Sequence, residues 1–391
     1  MRVAFYAPLK VPSHGTPSGD RRVAALYVEA LQRAGHRVEL ASSLSSYDGG
    51  GNPERQAALR DQGLATAEQL VRQLQSGAQE SRPDLWFTYH VYYKAPDWLG
   101  PHVSRALGIP YVIAEASHAP KRAGGPWNLG HEASAEAMRS ANLLVCPTRF
   151  DLACLERIVA DGSKILLLPP FLDTQPFDEA LKARQTQRER LAAAHRLDAS
   201  VPWIVVAAMM REGDKAASYR QLADTLARIS DLPWQVLVAG DGLARPEVAR
   251  ALETAAPGRA RLLGTLAENE VAALYAAGDL CIWPACNEAY GMAMLEAQAA
   301  ALPVISCAHR GVPDVVVDGR TGLLAPANDS AELARLAREL LLNPSRRMEM
   351  GRAARQFVAS ERSLKAAAQR LDQALGRLGV RSAVHPATRP S

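Results

Sequence analysis

Short apolar runs alternate with longer stretches of helical periodicity twice along this chain, first from Val3 to about Leu168 and again from Trp203 to about Leu324. Runs of four or five aliphatic and β-branched residues bounded by polar turns read as buried strands, and apolar residues recurring every three to four positions read as helices. The first half is expected to hold strands at 3–7, 37–41, 85–89, 111–114, 143–146 and 165–168, and the second at 204–208, 235–239, 260–263, 280–283, 303–306 and 322–324. Helices are expected between them, for example at 20–34 and 218–229. Strict alternation of this kind predicts parallel sheets, and therefore an α/β protein of two Rossmann-like domains whose sheets face a central cleft. The polar stretch 174–200, after the Pro169-Pro170 break, reads as the linker between residues 1–173 and 201–358. Beyond Asp329 the pattern is helical only, at 330–342 and again from 345 to about 378, with 359–378 expected to pack back on the first domain and 379–391 to fray.

A length of 391 residues exceeds what one hydrophobic core usually serves, which agrees with two domains. No apolar segment approaches the ~20 residues of a membrane span, and the run after Met1 is too short for a signal-peptide core, so a soluble, cytoplasmic protein is expected. Five cysteines, at 146, 154, 281, 286 and 307, lack metal-ligand spacing and are odd in number, so they read as reduced thiols that form neither a disulfide framework nor a zinc site; no Asp-x-Asp element in a loop demands a metal, and no cofactor is expected. A formal charge of +4 without a long basic run argues against nucleic acid. A basic linker leaves room for a peripheral contact with the inner membrane face.

The segment PACNEAYGMAMLEAQAAALPVIS carries the most chemistry. A strand gives way to a loop at 287–291 and then to a helix starting near Met292. The N–H groups and positive dipole end of such a helix, at the C-terminal strand edge, suit a diphosphate, with Gly291 allowing close approach. Ala289, Tyr290, Gly291, Met292 and Ala293 are thus donor-binding candidates. Glu296, one turn inside the helix, can accept hydrogen bonds from vicinal ribose hydroxyls. Glu288 and Glu296 also fit a solvated helix face.

With its flanks, through LPVISCAHRGVPDVVVDGRTGLLAPANDSAELA, this segment resembles the retaining glycosyltransferases of family 4, whose signature is two glutamates separated by seven residues. Asp314 stands where many relatives carry Glu. The resemblance implies a GT-B fold and metal-independent transfer of a sugar from a UDP- or GDP-sugar to a glycan, lipid-linked or small-molecule acceptor. It implies that Lys215, in VVAAMMREGDKAASYRQLADTL, lies on the leaving diphosphate. Met210 occupies the usual arginine position, and Arg211, one residue late, is taken as its substitute. Such cations matter because negative charge builds on the departing diphosphate. The glutamates are not a hydrolase pair: on one continuous helix they would lie roughly 12 Å apart along its axis, too far for the ~5 Å retaining-hydrolase spacing.

In HGTPSGDRRVAALYVEALQRAGHRVEL, Gly19 fits the family's glycine-rich loop near the donor phosphates, while Ser18 or Asp20 would equally serve as a helix N-cap. A family histidine after the fourth strand touches the donor sugar; His118 is nearest, with Glu115 intervening, and His90 is the alternative. Gly240, Asp241 and Gly242 resemble the loop around the nucleotide base, and Pro169, Pro170 and Asp173 the crossover between domains. Lys121 and Arg122 fit either an anionic acceptor or solvated charges. Two rivals remain: a nucleotide-sugar epimerase or hydrolase on the same fold, and a non-catalytic nucleotide- or carbohydrate-binding protein.

Overall fold

The computed structural model of the chain describes residues 1–10 and 19–379. Ser18 and the rest of the loop 11–18, and the tail 380–391, lie outside the described residues. The chain divides into two compact units, Met1–Leu168 with the chain from Leu364 on, and Pro169–Ser363.

The first unit runs β1 (Arg2–Tyr6), α1 (Gly19–Arg33), β2 (Arg37–Ser42), α2 (Pro53–Ser76), β3 (Leu85–Val91), α3 (Gly100–Leu107), β4 (Tyr111–Ala116), α4 (Asn128–Ser140), β5 (Leu143–Cys146), α5 (Arg149–Leu155) and β6 (Ile165–Leu167). Its strands form one parallel six-stranded sheet in the order β2-β1-β3-β4-β5-β6. β3 and β4 are almost wholly buried because helices cover both sheet faces, which is why they are near-continuous apolar runs. α1 buries Val23, Ala24, Leu26, Tyr27, Ala30 and Leu31, one stripe at helical spacing.

The second unit runs α6 (Gln175–Lys182), α7 (Arg184–His195), β7 (Trp203–Ala207), α8 (Asp214–Ala227), β8 (Gln235–Ala239), α9 (Arg245–Ala255), β9 (Ala260–Gly264), α10 (Glu268–Ala277), β10 (Leu280–Ile282), α11 (Met292–Ala299), β11 (Val304–Cys307), α12 (Val312–Val315), β12 (Gly322–Ala325), α13 (Ser330–Leu342) and α14 (Pro344–Glu361). Its parallel sheet has the order β12-β11-β10-β7-β8-β9. The connections reverse direction between β7 and β10, which makes the C-terminal ends of these two strands the place where open α/β sheets bind ligands. A last helix, α15 (Leu364–Gly376), returns to the first unit and packs on α1.

The expected α/β class and both parallel sheets are present, with strand ends shifted by a residue or two. Two features differ from the sequence pattern. The stretch 174–200 is no linker: the boundary falls at Leu168, and α6 and α7 pack on α10 within the second unit. Phe177 and Leu191 supply the buried contacts, while the Arg188 guanidinium lies 4.1 Å over the Trp203 ring and pairs with Asp279 at 2.9 Å. The helical pattern 345–378 is also interrupted. Leu172 N–H donates to the Arg362 carbonyl at 3.0 Å and bridges Ser363, and this splits the pattern into α14 and α15.

Candidate functional site

In the second unit the loops after β7 and β10 bring Lys215 and Glu288 together: Lys215 Nζ donates to Glu288 Oε2 at 2.5 Å. Lys215 opens the first turn of α8, and its ammonium lies 5.5 Å over the Trp283 ring. Trp283 is fixed edge-on by Tyr219 at 5.0 Å, and the Tyr219 hydroxyl donates to the Ala208 carbonyl at 2.7 Å. A cation is thus held over an aromatic face, half-buried beside one carboxylate, where its field is less screened than in bulk water.

Glu288 sits on a loop rather than on the helix. Ala285, Asn287 and Gly291 all have left-handed backbone, which lifts residues 285–291 away from the strand. α8 anchors this loop: the Cys286 N–H donates to Ser218 Oγ at 2.9 Å, and Asn287 Nδ2 donates to Asp214 Oδ2 at 2.8 Å. Side chains four apart on one helix face therefore set the position of Glu288 against Lys215. Gly291 then starts α11, which no side chain caps, leaving first-turn amides and the positive dipole end for an anion. Gly291 has φ +76°, a left-handed backbone that favours glycine at this start. Tyr290, Met292 and Ala293 are half-buried around this turn, and Ala289 is exposed. Glu296 lies one turn in and is buried; burial of the Cys281 thiol, with the Glu296 charge beside it, pushes that thiol up to about 12.

Gly240, Asp241 and Gly242 press against the loop after β7. Met210 N–H donates to the Asp241 carbonyl and Ala244 N–H to the Met210 carbonyl, each at 2.9 Å. Asp241 is held below the usual carboxylate range by the Gly242 N–H and Arg245. The Met210 side chain is buried in the core, whereas Arg211 is exposed, and among the described residues its side chain has no ion pair. Lys215 and Glu288 are thus brought together, and Arg211 is not brought to them. Asp314 is buried, and its carbonyl accepts from Arg362 at 3.1 Å.

In the first unit, a Cβ at Gly19 would meet open space at the start of α1. His118 lies past the end of β4, stacked on His131 at 4.9 Å, and burial with the His131 charge lowers its pKa. His90 occupies a different environment. At the C-terminal ends of β3 and β4, His90 and Glu115 both take left-handed backbone, a costly conformation for such residues. His90 Nδ1 lies 3.4 Å from Asp20 Oδ1 and 3.6 Å from Glu115 Oε1, while Lys10 Nζ donates to Asp20 at 3.1 Å and Tyr89 Oη donates to Glu115 at 2.8 Å. Burial opposes charge on His90, but Glu115 and Asp20 outweigh it and hold the imidazole above its ordinary range. Burial in turn pushes the Glu115 carboxyl up, against the pull of His90.

A histidine whose folded pKa exceeds its unfolded value of ~6.5 stabilises fully below about pH 6.5, and that contribution is lost as pH rises through the folded value. Glu115→Gln is accordingly expected to lower the His90 pKa, followed by NMR titration of the imidazole, and to flatten the loss of stability above about pH 6.5. An unmoved pKa would show that Glu115 is not its partner.

Sequence reasoning missed Trp283 and Tyr219 beneath the lysine, and Asp214 and Ser218, whose spacing on α8 was a usable signal. It also missed Asp20 and Glu115 as partners of His90, a pairing of three separate strand and helix ends. Among the described residues no group of three or more His, Cys, Asp or Glu is placed to hold a metal ion, and no helix is long and apolar enough to cross a membrane.

Residues 18–170 match the glycosyl transferase 4-like domain, and residues 202–343 match the glycosyl transferases group 1. Over 227 residues the chain is 28% identical to a D-inositol 3-phosphate glycosyltransferase of Corynebacterium urealyticum, covering 56% of this chain and 53% of that protein. The chain spans about half the length of the curated relatives it matches. Its fold is similar to that of the sucrose-phosphate synthase of Thermosynechococcus elongatus, with a TM-score of 0.69 and 20% identity over 97% of this chain and 100% of that one. It is also similar to HepE of Anabaena in complex with UDP-glucose, with a TM-score of 0.66 and 13% identity over 96% of this chain and 100% of that one.

Proposed function

Since this chain belongs to the group 1 glycosyl transferases and has their GT-B architecture, we propose that it transfers a sugar from a nucleoside-diphosphate donor to an acceptor hydroxyl, with retention at the anomeric carbon. The observation that carries this reading is the Lys215–Glu288 pair beside the uncapped start of α11, at the point where the strand order of the second unit reverses. Breaking the bond between sugar and phosphate builds negative charge on the diphosphate and positive charge on the sugar ring. In this proposal Lys215 and the α11 amides offset the first charge, and the Glu288 carboxylate the second. Retention follows if the acceptor attacks the face the diphosphate leaves, with a departing phosphate oxygen taking the acceptor proton.

The complex of HepE with UDP-glucose supports a uridine donor for this chain. In this reading the cations do the work a metal would do, so transfer is expected to continue in EDTA. A rate that depends on added magnesium would overturn that part. Glu296 holds the donor ribose in ground state and transition state alike, and Glu296→Ala is expected to raise donor KM about tenfold with a smaller fall in kcat. A fall in kcat alone would move Glu296 out of the ribose contact. Arg211 would supply a second cation from its exposed loop, and Arg211→Ala with full rate would leave that role to Lys215.

A further inference from the structure

In the first unit, the loops after β3 and β4 leave neighbouring strands at the C-terminal sheet edge and carry two cations over one pair of rings. Lys94 Nζ lies 4.8 Å from the Trp127 ring centre and 6.0 Å from that of Tyr93, while Arg122 Cζ lies 5.0 Å from Tyr93 and 5.3 Å from Trp127. Lys94 and Arg122 are both half-buried, whereas Lys121 is exposed. We infer that Lys94 and Arg122 form a seat for the phosphoryl group of a phosphorylated acceptor.

The platform is rigid before any ligand arrives. Trp127 Nε1 donates to the Asp48 carbonyl at 2.9 Å, and the Asp48 N–H donates to the Lys94 carbonyl at 2.8 Å. A Cβ at Gly130 would come within 2.2 Å of the Tyr93 carbonyl oxygen, so the first turn of α4 touches the loop after β3 with no space to give. The buried Asp97 carboxylate closes the β3 loop, accepting from Thr88, Tyr111 and the Leu99 and Gly100 N–H groups.

The charges on this platform are unbalanced. No carboxylate of the described residues lies within 4.0 Å of either cation, and Arg122 Nε is buried without an acceptor. Two like charges over the same rings repel, and a buried donor without a partner is costly, so the arrangement gains most from an oxyanion. Two other arginines over tryptophan rings donate to backbone carbonyls instead: Arg188 to those of Ala277 and Val201, and Arg259 to that of Leu232. Each ring already has both cations within 6.0 Å of its centre, so the platform favours an anion over the apolar face of a bare sugar. The guanidinium fork matches two phosphoryl oxygens, and the ammonium adds a point charge, a combination suited to a dianion. An acceptor phosphate and an anionic lipid headgroup share this chemistry. Naming the bound group part of an acceptor rests on the glycosyltransferase reading; the anion seat itself does not.

The test is titration of the full chain with inorganic phosphate and with glucose 6-phosphate, followed by tryptophan fluorescence, with unphosphorylated glucose as control. Both phosphates are expected to bind and glucose is not, and Arg122→Ala and Lys94→Ala should each weaken phosphate binding about tenfold or more. Arg122→Lys should retain part of it, with thermal melting and UDP binding unchanged. Sedimentation with phosphatidylcholine vesicles, with and without phosphatidylglycerol, separates the sources: pelleting that needs the anionic lipid and is lost in the variants assigns the seat to a headgroup and overturns the soluble acceptor. Phosphate binding that survives the double variant, or no phosphate binding at all, overturns the inference. Phosphate binding without UDP binding would instead count against the donor reading.

Discussion

Lys215→Ala is expected to lower kcat by about 10²–10³, the cost of removing one preorganised charge from a developing anion. The residue lies 2.5 Å from Glu288 and above Trp283, so its loss also leaves a half-buried carboxylate without its cation. Donor KM should change less than kcat, because charge on the diphosphate is greatest in the transition state. Lys215→Arg restores the charge with a bulkier head and should recover part of the rate. Steady-state kinetics on the three proteins decides it: equal losses in Lys215→Ala and Lys215→Arg would point to packing rather than charge.

Gly240→Ala should be the most damaging single methyl in the second unit. Gly240 has φ +138°, and a Cβ there would fall 2.0 Å from the Ala208 carbonyl oxygen. That oxygen accepts from Tyr219, which fixes Trp283 beneath Lys215, so relief of the clash displaces the site as well as the loop. Backbone strain and overlap together should cost about 3 kcal/mol or more, a fall in Tm of roughly 6–12 °C for a unit of this size. Gly213→Ala separates the two causes, since φ there is +77° but nothing lies within 4 Å of a Cβ. Strain alone should cost about 1 kcal/mol. Calorimetric melting of both variants checks the ranking, and equal falls would mean that the contact with Ala208 has no part in it.

The strands were legible because parallel sheets bury both faces, so segments such as 203–207 and 235–239 stand out as apolar runs. The 174–200 stretch misled because a few apolar residues such as Phe177 and Leu191 seat it among many charges, and Arg188 satisfies three carbonyls, those of Ala277, Ala199 and Val201, which composition registers only as charge. Lys215 and Glu288 were legible because local order places each just past a strand. Arg211 was harder, because whether residue 210 or 211 faces outward depends on the pairing of Met210 with Asp241 and Ala244. His118 lies close to β4 in sequence, but the left-handed turn at Glu115 puts the carboxylate beside His90, and backbone handedness of that kind leaves no mark in a hydrophobic pattern.

The proposed transfer depends on the second unit holding a nucleoside-diphosphate sugar through Lys215 and the start of α11. Calorimetric titration of the intact protein and of Lys215→Ala with UDP, GDP and the matching nucleotide sugars, in EDTA, tests it most directly. Micromolar binding of one base is expected, weakened about tenfold or more by the substitution. Absence of binding to every nucleotide, or binding indifferent to Lys215, would contradict it.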